Sequence, residues 1–259
     1  MTDSLLSERR DKVLRLTLNR PDKLNAIDVV LLDALTEALQ AAGRDPEVRA
    51  IVIAGAGGSF CAGADIGQMI ERTPDDWERT VAHYLDPIRA ISRIGKPVIA
   101  RLHGNVFGGG LGLAIACDFR VATSTARFCA PFVKLALAGC DMSAGYFLPR
   151  LIGLGRATDM MMTARVVEAS EALAIGLVSQ VVPDDGLDAA TDALADKLAA
   201  FAPRTTAFTK GAIRRSLDRD MDGEFDYEIF AQVQCLQSPD HREGVAAFRE
   251  RRAPVFRGV

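Results

Sequence analysis

The apolar positions of the N-terminal half change period from one segment to the next. In KVLRLTL (residues 12–18), Leu14, Leu16 and Leu18 fall on alternate positions, the two-residue period of a strand. Asn19-Arg20-Pro21-Asp22 then breaks the run. Over 28–42, Leu31, Leu32, Leu35 and Leu39 recur at helical spacing, with Asp28 placed to cap the start and Gly43 to stop the end. RAIVIA (49–54) is almost wholly apolar, as a strand covered on both faces would be, and Gly55-Ala56-Gly57-Gly58 closes it. The pattern predicts an amphipathic helix over 77–94 and a third strand in PVIARL (97–102). It then predicts an apolar helix-like run, LGLAIAC, behind Gly108-Gly109-Gly110, and a fourth strand in DFRVA (118–122). Past residue 142 helical spacing dominates, over 143–152, 156–162, 169–175, 186–200, 204–217, 224–236 and 239–250. Strands alternating with helices, then a helical tail, predict an α/β core over 1–200 and a C-terminal helical region over 201–259.

Composition narrows the classes of function. The 259 residues are 49% apolar and 25% charged, the balance of an ordinary globular chain large enough for one sizeable core. A net charge of −3 and 6% aromatics argue against a nucleic-acid binder, which needs a basic face and stacking rings. No apolar run approaches the roughly 18–20 residues of a membrane span, and MTDSLLSERRDK lacks the apolar core of a signal peptide. The expected setting is cytoplasmic, with no membrane partner. Five cysteines (Cys61, Cys117, Cys129, Cys140, Cys235) form no CxxC, and only His83, His103 and His241 are present, so metal-ligand spacing is absent and no metal is expected. The glycines after the second strand lack the third glycine of a dinucleotide fingerprint, Phe60 standing in its place.

Two loops carry more. Ser59-Phe60-Cys61-Ala62-Gly63-Ala64-Asp65-Ile66 and His103-Gly104-Asn105-Val106-Phe107-Gly108-Gly109-Gly110-Leu111-Gly112 each follow a strand and open an apolar run. Backbone N–H groups at a helix start are unpaired and sit at its positive end. Two of them converging on one point would hold a developing oxyanion. The same glycines would also serve tight turns or close helix packing alone.

The ordered segments LNRPDKLNAID (18–28), FCAGADI (60–66), HGNVFGGGLGLAIACDFRVA (103–122), ARF (126–128), LPRLIGLGRA (148–157), EALAIGLVSQVV (171–182) and SPDHREGVAAFRERR (238–252) resemble the enoyl-CoA hydratase/isomerase (crotonase) superfamily. The resemblance spans nearly the whole chain. It implies an α/β crotonase-like spiral of ββα units whose C-terminal helices drive a homotrimer or a dimer of trimers. It also implies an acyl-CoA substrate, with coenzyme A entering as the thioester and no separate cofactor. Carried over, the oxyanion hole is the backbone N–H groups of Ala64 and Gly109. Lys23, Leu24, Ala26, Ala62, Asp65 and Ile66 match positions lining the coenzyme A groove, and Asp65 equally suits a helix cap. Gly108, Gly112, Pro131, Phe132 and Leu135 match positions beside the acyl group. Arg242, Arg249, Arg251, Arg252 and Arg257 are candidates for CoA phosphates or for a solvated helix face.

The chain departs from the hydratase pattern at its chemistry. Hydratases of the superfamily carry one glutamate two residues after the glycine run and another directly after a proline twenty residues later. Here those positions are Gly112 and Phe132, and neither moves a proton. One acid remains nearby: Asp141, nine residues before Arg150, matches a catalytic aspartate of isomerising and dehalogenating relatives. It stands among Leu137, Cys140, Met142 and Phe147, an apolar setting that suits a general base, and equally just before the run from Ser143 to Leu151, where it would cap a helix. A dehalogenase would also need a histidine where this chain has Leu85, with His83 two residues off. One carboxylate beside an oxyanion hole can shift a double bond without activating water. The expectation is an acyl-CoA double-bond isomerase using Asp141, Ala64 and Gly109. The alternatives are a hydratase or lyase with an atypical residue set, and a CoA-ester binding protein without catalysis.

Overall fold

The computed structural model describes residues 4–258. Strands β1 (Leu5–Arg10) and β2 (Val13–Leu18) form an antiparallel hairpin. Helix α1 (Val29–Arg44) and strand β3 (Ala50–Gly55) follow, then α2 (Pro74–Tyr84), α3 (Asp86–Arg93), β4 (Val98–Leu102), the short β5 (Asn105–Phe107), α4 (Gly109–Ala116), β6 (Phe119–Thr123) and β7 (Arg127–Cys129). The second half holds α5 (Ala144–Ile152), α6 (Leu154–Thr163), β8 (Val167–Glu168), α7 (Ala169–Ala174) and β9 (Gln180–Val182), then the helices α8 (Leu187–Ala199), α9 (Pro203–Arg215), α10 (Met221–Leu236) and α11 (Pro239–Glu250).

The main sheet runs β1-β2-β3-β4-β6-β9 and is parallel beyond its hairpin; β5, β7 and β8 make a second, small sheet. Parallel neighbours need crossovers, and α1, the α2–α3 pair and α4 supply them. Strand alternation then sorts β3 between two layers. Ile51 and Ile53 face the core shared with Leu31, Leu35, Ile91 and Leu113, while Ala50 and Val52 face Leu187, Ala195 and Ala199 on α8. Every residue of β3 is buried, as its apolar run predicts.

Asp28 caps α1 as expected, its Oδ1 accepting the Leu31 N–H at 2.8 Å. The helix predicted over 77–94 is two helices, and the second starts beside Pro87, which has no N–H to continue the first. Strand β1 escapes the apolar pattern because only Leu5 is buried; Glu8, Arg9 and Arg10 face solvent on a sheet edge. The C-terminal helices attach through α9: Lys210 Nζ lies 2.8 Å and Arg214 Nη2 2.6 Å from the two oxygens of Asp118. No helix among the described residues is long and apolar enough to cross a membrane.

Candidate active site

The fold brings the two loops against each other. Cys61 N–H donates to Asn105 O at 3.1 Å and Phe107 N–H to Cys61 O at 3.0 Å, which ties residues 61–65 to β5. On the other side, Ile27 N–H donates to Gly63 O (2.8 Å) and Asp65 N–H to Ile27 O (2.9 Å). These bonds use the N–H of Asp65 and the carbonyl of Gly63, and alternate N–H groups of an extended segment point to opposite sides. The N–H of Ala64 therefore points away from Ile27 and has no acceptor among the described residues. Gly109 opens α4, and its N–H is likewise unpaired, as first-turn donors are. Ala64 N lies 3.6 Å from the point that a Cβ on Gly109 would occupy, so the two donors are neighbours. The approach requires glycine at 110, where a Cβ would stand 2.2 Å from Cys61 O.

A buried clamp fixes this arrangement. Arg20 Nη2 lies 2.9 Å from Asp65 and 3.1 Å from Asp28, and Nη1 donates to Ala26 O. Asn25, fully buried, donates to Ala56 O and Ser59 O, both at 2.8 Å. Asp65 also caps the short 3-10 turn Ile66–Gln68, accepting the Gly67 N–H at 3.1 Å. The Arg20 hydrogen bond is the largest influence holding its carboxyl below the usual range. Asp65 is thus an occupied carboxylate, placed by the loop rather than free to accept a proton. Neither Arg20 nor Asn25 stands out in the sequence as a site residue, because a clamp carries no signature beyond its position in a turn.

The two positions where hydratases carry glutamates are closed. Phe132 is buried, its ring 3.8 Å from the point of a Cβ on Gly108. Gly112, expected beside the acyl group, is instead covered by the backbone of Met142, since a Cβ there would lie 2.3 Å from Met142 O. The Met142 thioether methyl reaches to 3.6 Å from the corresponding point on Gly109. Asp141 sits half-buried at the head of this turn. Its Oδ1 accepts only the Met142 N–H, at 2.8 Å, and it has no ion pair among the described residues. It does not cap α5, whose N-cap is Ser143 with no side-chain bond. The surroundings are less apolar than expected, because Cys140 and Leu137 are exposed.

The remaining expected residues lie at or near the surface. Lys23, Leu24, Ile66 and Leu135 are exposed, Ile66 by 62% and Leu135 by 49%, while Ala26, Ala62 and Pro131 are half-buried. Ala62 N–H donates to Leu24 O at 3.0 Å and joins residues 23–26 to the segment that carries Ala64. Arg252 is occupied by Glu243 and Glu250. His103 bonds Gly57 O at 2.8 Å, and His83 meets Asp33 at 2.6 Å. Tyr146 binds Asp218 and Tyr227 binds Phe208 O, so both have structural partners. Tyr84 is the residue that the chain pattern does not suggest. Half-buried at the end of α2, it lies 3.5 Å from Ile27 O; burial raises its phenol pKa, and the charges of Arg72, Asp28, Asp65 and Asp141 all reach it. A cavity of about 880 Å³ lies elsewhere, among Phe119, Phe147, Leu198 and Ile213; it touches α4 only at its C-terminal end and includes neither free N–H.

The profile of the enoyl-CoA hydratase/isomerase family matches residues 8–259. The chain belongs to this family. Its relatives in the family include the (E)-benzylidenesuccinyl-CoA hydratase of Thauera aromatica, 37% identical over 257 residues and covering 97% of this chain and 98% of that one. The short-chain-enoyl-CoA hydratase of Clostridium acetobutylicum is 34% identical over 251 residues, 96% of each chain. The crystal structure of the enoyl-CoA hydratase of Bacillus anthracis is similar with a TM-score of 0.95 at 30% identity, covering 99% of this chain and 100% of that one. The architecture is the crotonase fold, α/β with a helical C-terminal region.

Proposed function

We propose that the protein is an acyl-CoA enzyme that moves a carbon–carbon double bond with a single carboxylate. The observation that carries this is the state of the acids. Asp28 and Asp65 are tied to Arg20, the two hydratase glutamate positions hold Gly112, covered by the Met142 backbone, and the buried Phe132, and Asp141 is left without a cation beside the glycine loops. The thioester carbonyl oxygen of a 3-enoyl-CoA would accept the N–H groups of Ala64 and Gly109. Asp141 takes the proton from C2, the electron pair spreads into a dienolate held by those donors, and the carboxylic acid returns the proton at C4. The product is the 2-enoyl-CoA, and no water is consumed. Lys23, Leu24, Ala26, Ala62, Asp65 and Ile66 would line the coenzyme A side, and Pro131, Phe132 and Leu135 the acyl side. Gly108, whose N–H donates to Cys129 O, shapes the loop between them.

Hydration by an atypical residue set is the second reading, favoured by the names of the relatives at 34–37% identity. The two reactions separate by mass. With 3-enoyl- and 2-enoyl-CoA thioesters in heavy-oxygen water, isomers without mass gain support the proton shift, and a heavy-oxygen hydroxyacyl-CoA sinks it. Binding without turnover would point to a CoA-ester binder.

Assembly belongs to the same proposal. Ile213, Leu217, Phe225, Ile229 and Phe248 are exposed on the C-terminal helices, Phe248 by 86%. So many apolar side chains facing water mark a contact surface, here for a trimer or a dimer of trimers. Light scattering on the purified protein reads the mass, and a monomer at micromolar concentration refutes it.

A further inference from the structure

We infer that the cavity between the core and the C-terminal helices is a binding site for a free monocarboxylic acid with an apolar body, whose carboxylate meets Arg120 and Arg214.

The cavity holds about 880 Å³, the size of a small-molecule site. Its wall is mostly apolar, with Phe147, Leu198 and Phe201 among the lining side chains. Where α4 gives way to β6, the lining is cationic. Arg120, Lys210 and Arg214 gather there around one carboxylate, Asp118. Both oxygens of Asp118 are spent: Oδ1 accepts from Arg214 Nε and Nη2, and Oδ2 from Lys210 Nζ and the Val98 N–H.

The two arginines keep donors in reserve. Arg120, only 7% exposed, donates through Nε to Leu177 O and through Nη1 to Cys117 O, both at 2.7 Å. Its Nη2 has no acceptor among the described residues, and neither has Nη1 of Arg214. Neither nitrogen is sealed inside the protein, as the unpaired hydroxyls of Ser143 and Thr191 are. Both arginines line the cavity, so these N–H groups open into it. Burial disfavours the Arg120 charge, Arg214 adds to that, and Asp118 offsets it only in part.

Buried positive charge in excess, beside an apolar space, calls for an anion. A carboxylate brings two oxygens in one plane, which suits guanidinium donors. Its apolar body would leave water for the aliphatic and aromatic wall. The thioester head of an acyl-CoA is uncharged and does not answer the excess, so the ligand is the free acid. Ala64 and Gly109 lie outside this cavity, and the site is separate from the proposed reaction.

The test titrates the native protein with octanoate and with octan-1-ol by calorimetry. Octanoate is expected to bind, and the alcohol to bind about tenfold more weakly, the scale of a lost hydrogen bond to a charged group. A saturating excess of octanoyl-CoA is expected to leave octanoate binding in place. Arg120→Gln should weaken octanoate by a similar factor, but it also disturbs the bonds to Leu177 O and Cys117 O. Thr209→Glu is the arm that spares the core: residue 209 is exposed on the cavity wall, and its hydroxyl donates to Thr205 O within α9. Its added carboxylate should weaken octanoate while the melting temperature and octanoyl-CoA binding stay unchanged. Absence of octanoate binding up to millimolar concentration overturns the inference, as does equal affinity for the alcohol. Displacement of octanoate by octanoyl-CoA would place it in the thioester site and overturn it too, and so would unchanged octanoate affinity in Thr209→Glu.

Discussion

Replacing Asp118 by asparagine should release the C-terminal helices from the core. Asp118 sits between Lys210 at 2.8 Å and Arg214 at 2.6 Å, with side chains only 15%, 7% and 16% exposed respectively. The lysine is otherwise fully engaged, donating to Ile91 O and Lys96 O at 2.9 Å each. Asparagine keeps the shape but leaves two cations facing a neutral amide. Removing one partner of a buried pair costs about 3–5 kcal/mol, since the charge left behind stays desolvated. At about 2 °C per kcal/mol for a chain of this size, the melting temperature should fall by roughly 6–10 °C at fixed protein concentration. The pH dependence gives an independent check. Burial already pushes the Lys210 pKa down, with Asp118 opposing it. Without Asp118 the folded-state value falls further, while the unfolded value stays near 10.4. Between the two the unfolded chain binds more protons, so stability rises with pH across that window. Asp118→Asn should thus recover part of its loss as pH rises from 7 towards 10. A loss under about 1 kcal/mol, the range of an exposed pair, would refute the view that this cluster anchors α9.

Asp141→Asn keeps the size of the side chain and removes the base; turnover should fall by several orders of magnitude while CoA-ester binding is retained, and unchanged turnover would remove Asp141 from the mechanism. Arg20→Gln should flatten the acid limb of the stability curve. The Asp65 carboxyl lies below its ordinary range because of Arg20, so its contribution is complete above a pH of about 3.9 and is lost as pH falls through the folded value. Unfolding measured from acid to neutral pH reads the difference, and identical limbs would contradict the clamp. In thiol titration of the native protein Cys140 should react first, because it is exposed. Cys61 and Cys117, buried with thiols pushed up to about 12, should react only on unfolding.

The sequence pattern and the structure agree where burial is periodic. Leu14, Leu16 and Leu18 declare β2, and Leu31, Leu32, Leu35 and Leu39 declare α1, because each set faces one core. Strands β5, β7, β8 and β9 are two or three residues long, too short for a period to show. The site divides in the same way. The unpaired N–H groups of Ala64 and Gly109 lie in the two glycine loops that the sequence singles out, since a close approach of two backbones needs small residues. The packing of Met142 on Gly112 was not legible, because it comes from a left-handed turn lying across a helix some thirty residues earlier in the chain. Tyr84 was hidden for a similar reason: its hydroxyl reaches Ile27 O across 57 positions.

Asp65 and Asp141 show how one fold gives like groups unlike surroundings. Asp65 follows Ala64, whose N–H is unpaired among the described residues. Its oxygens are spent on Arg20 and on Gly67 N–H, and such bonds favour the charged form and weaken it as a base. What it supplies is position, because the segment that carries the Ala64 N–H is pinned between Ile27 and β5 and held through Arg20 to the cap of α1. Asp141 has no cation partner and sits on a turn admitted to α4 by the missing side chain of Gly112. A glutamate placed at 112 would therefore meet the backbone of the turn that carries Asp141. The bare helix position and the acid on the turn are therefore one arrangement: Gly112 lacks the side chain that the Met142 backbone would meet, and Asp141 stands on the turn packed there.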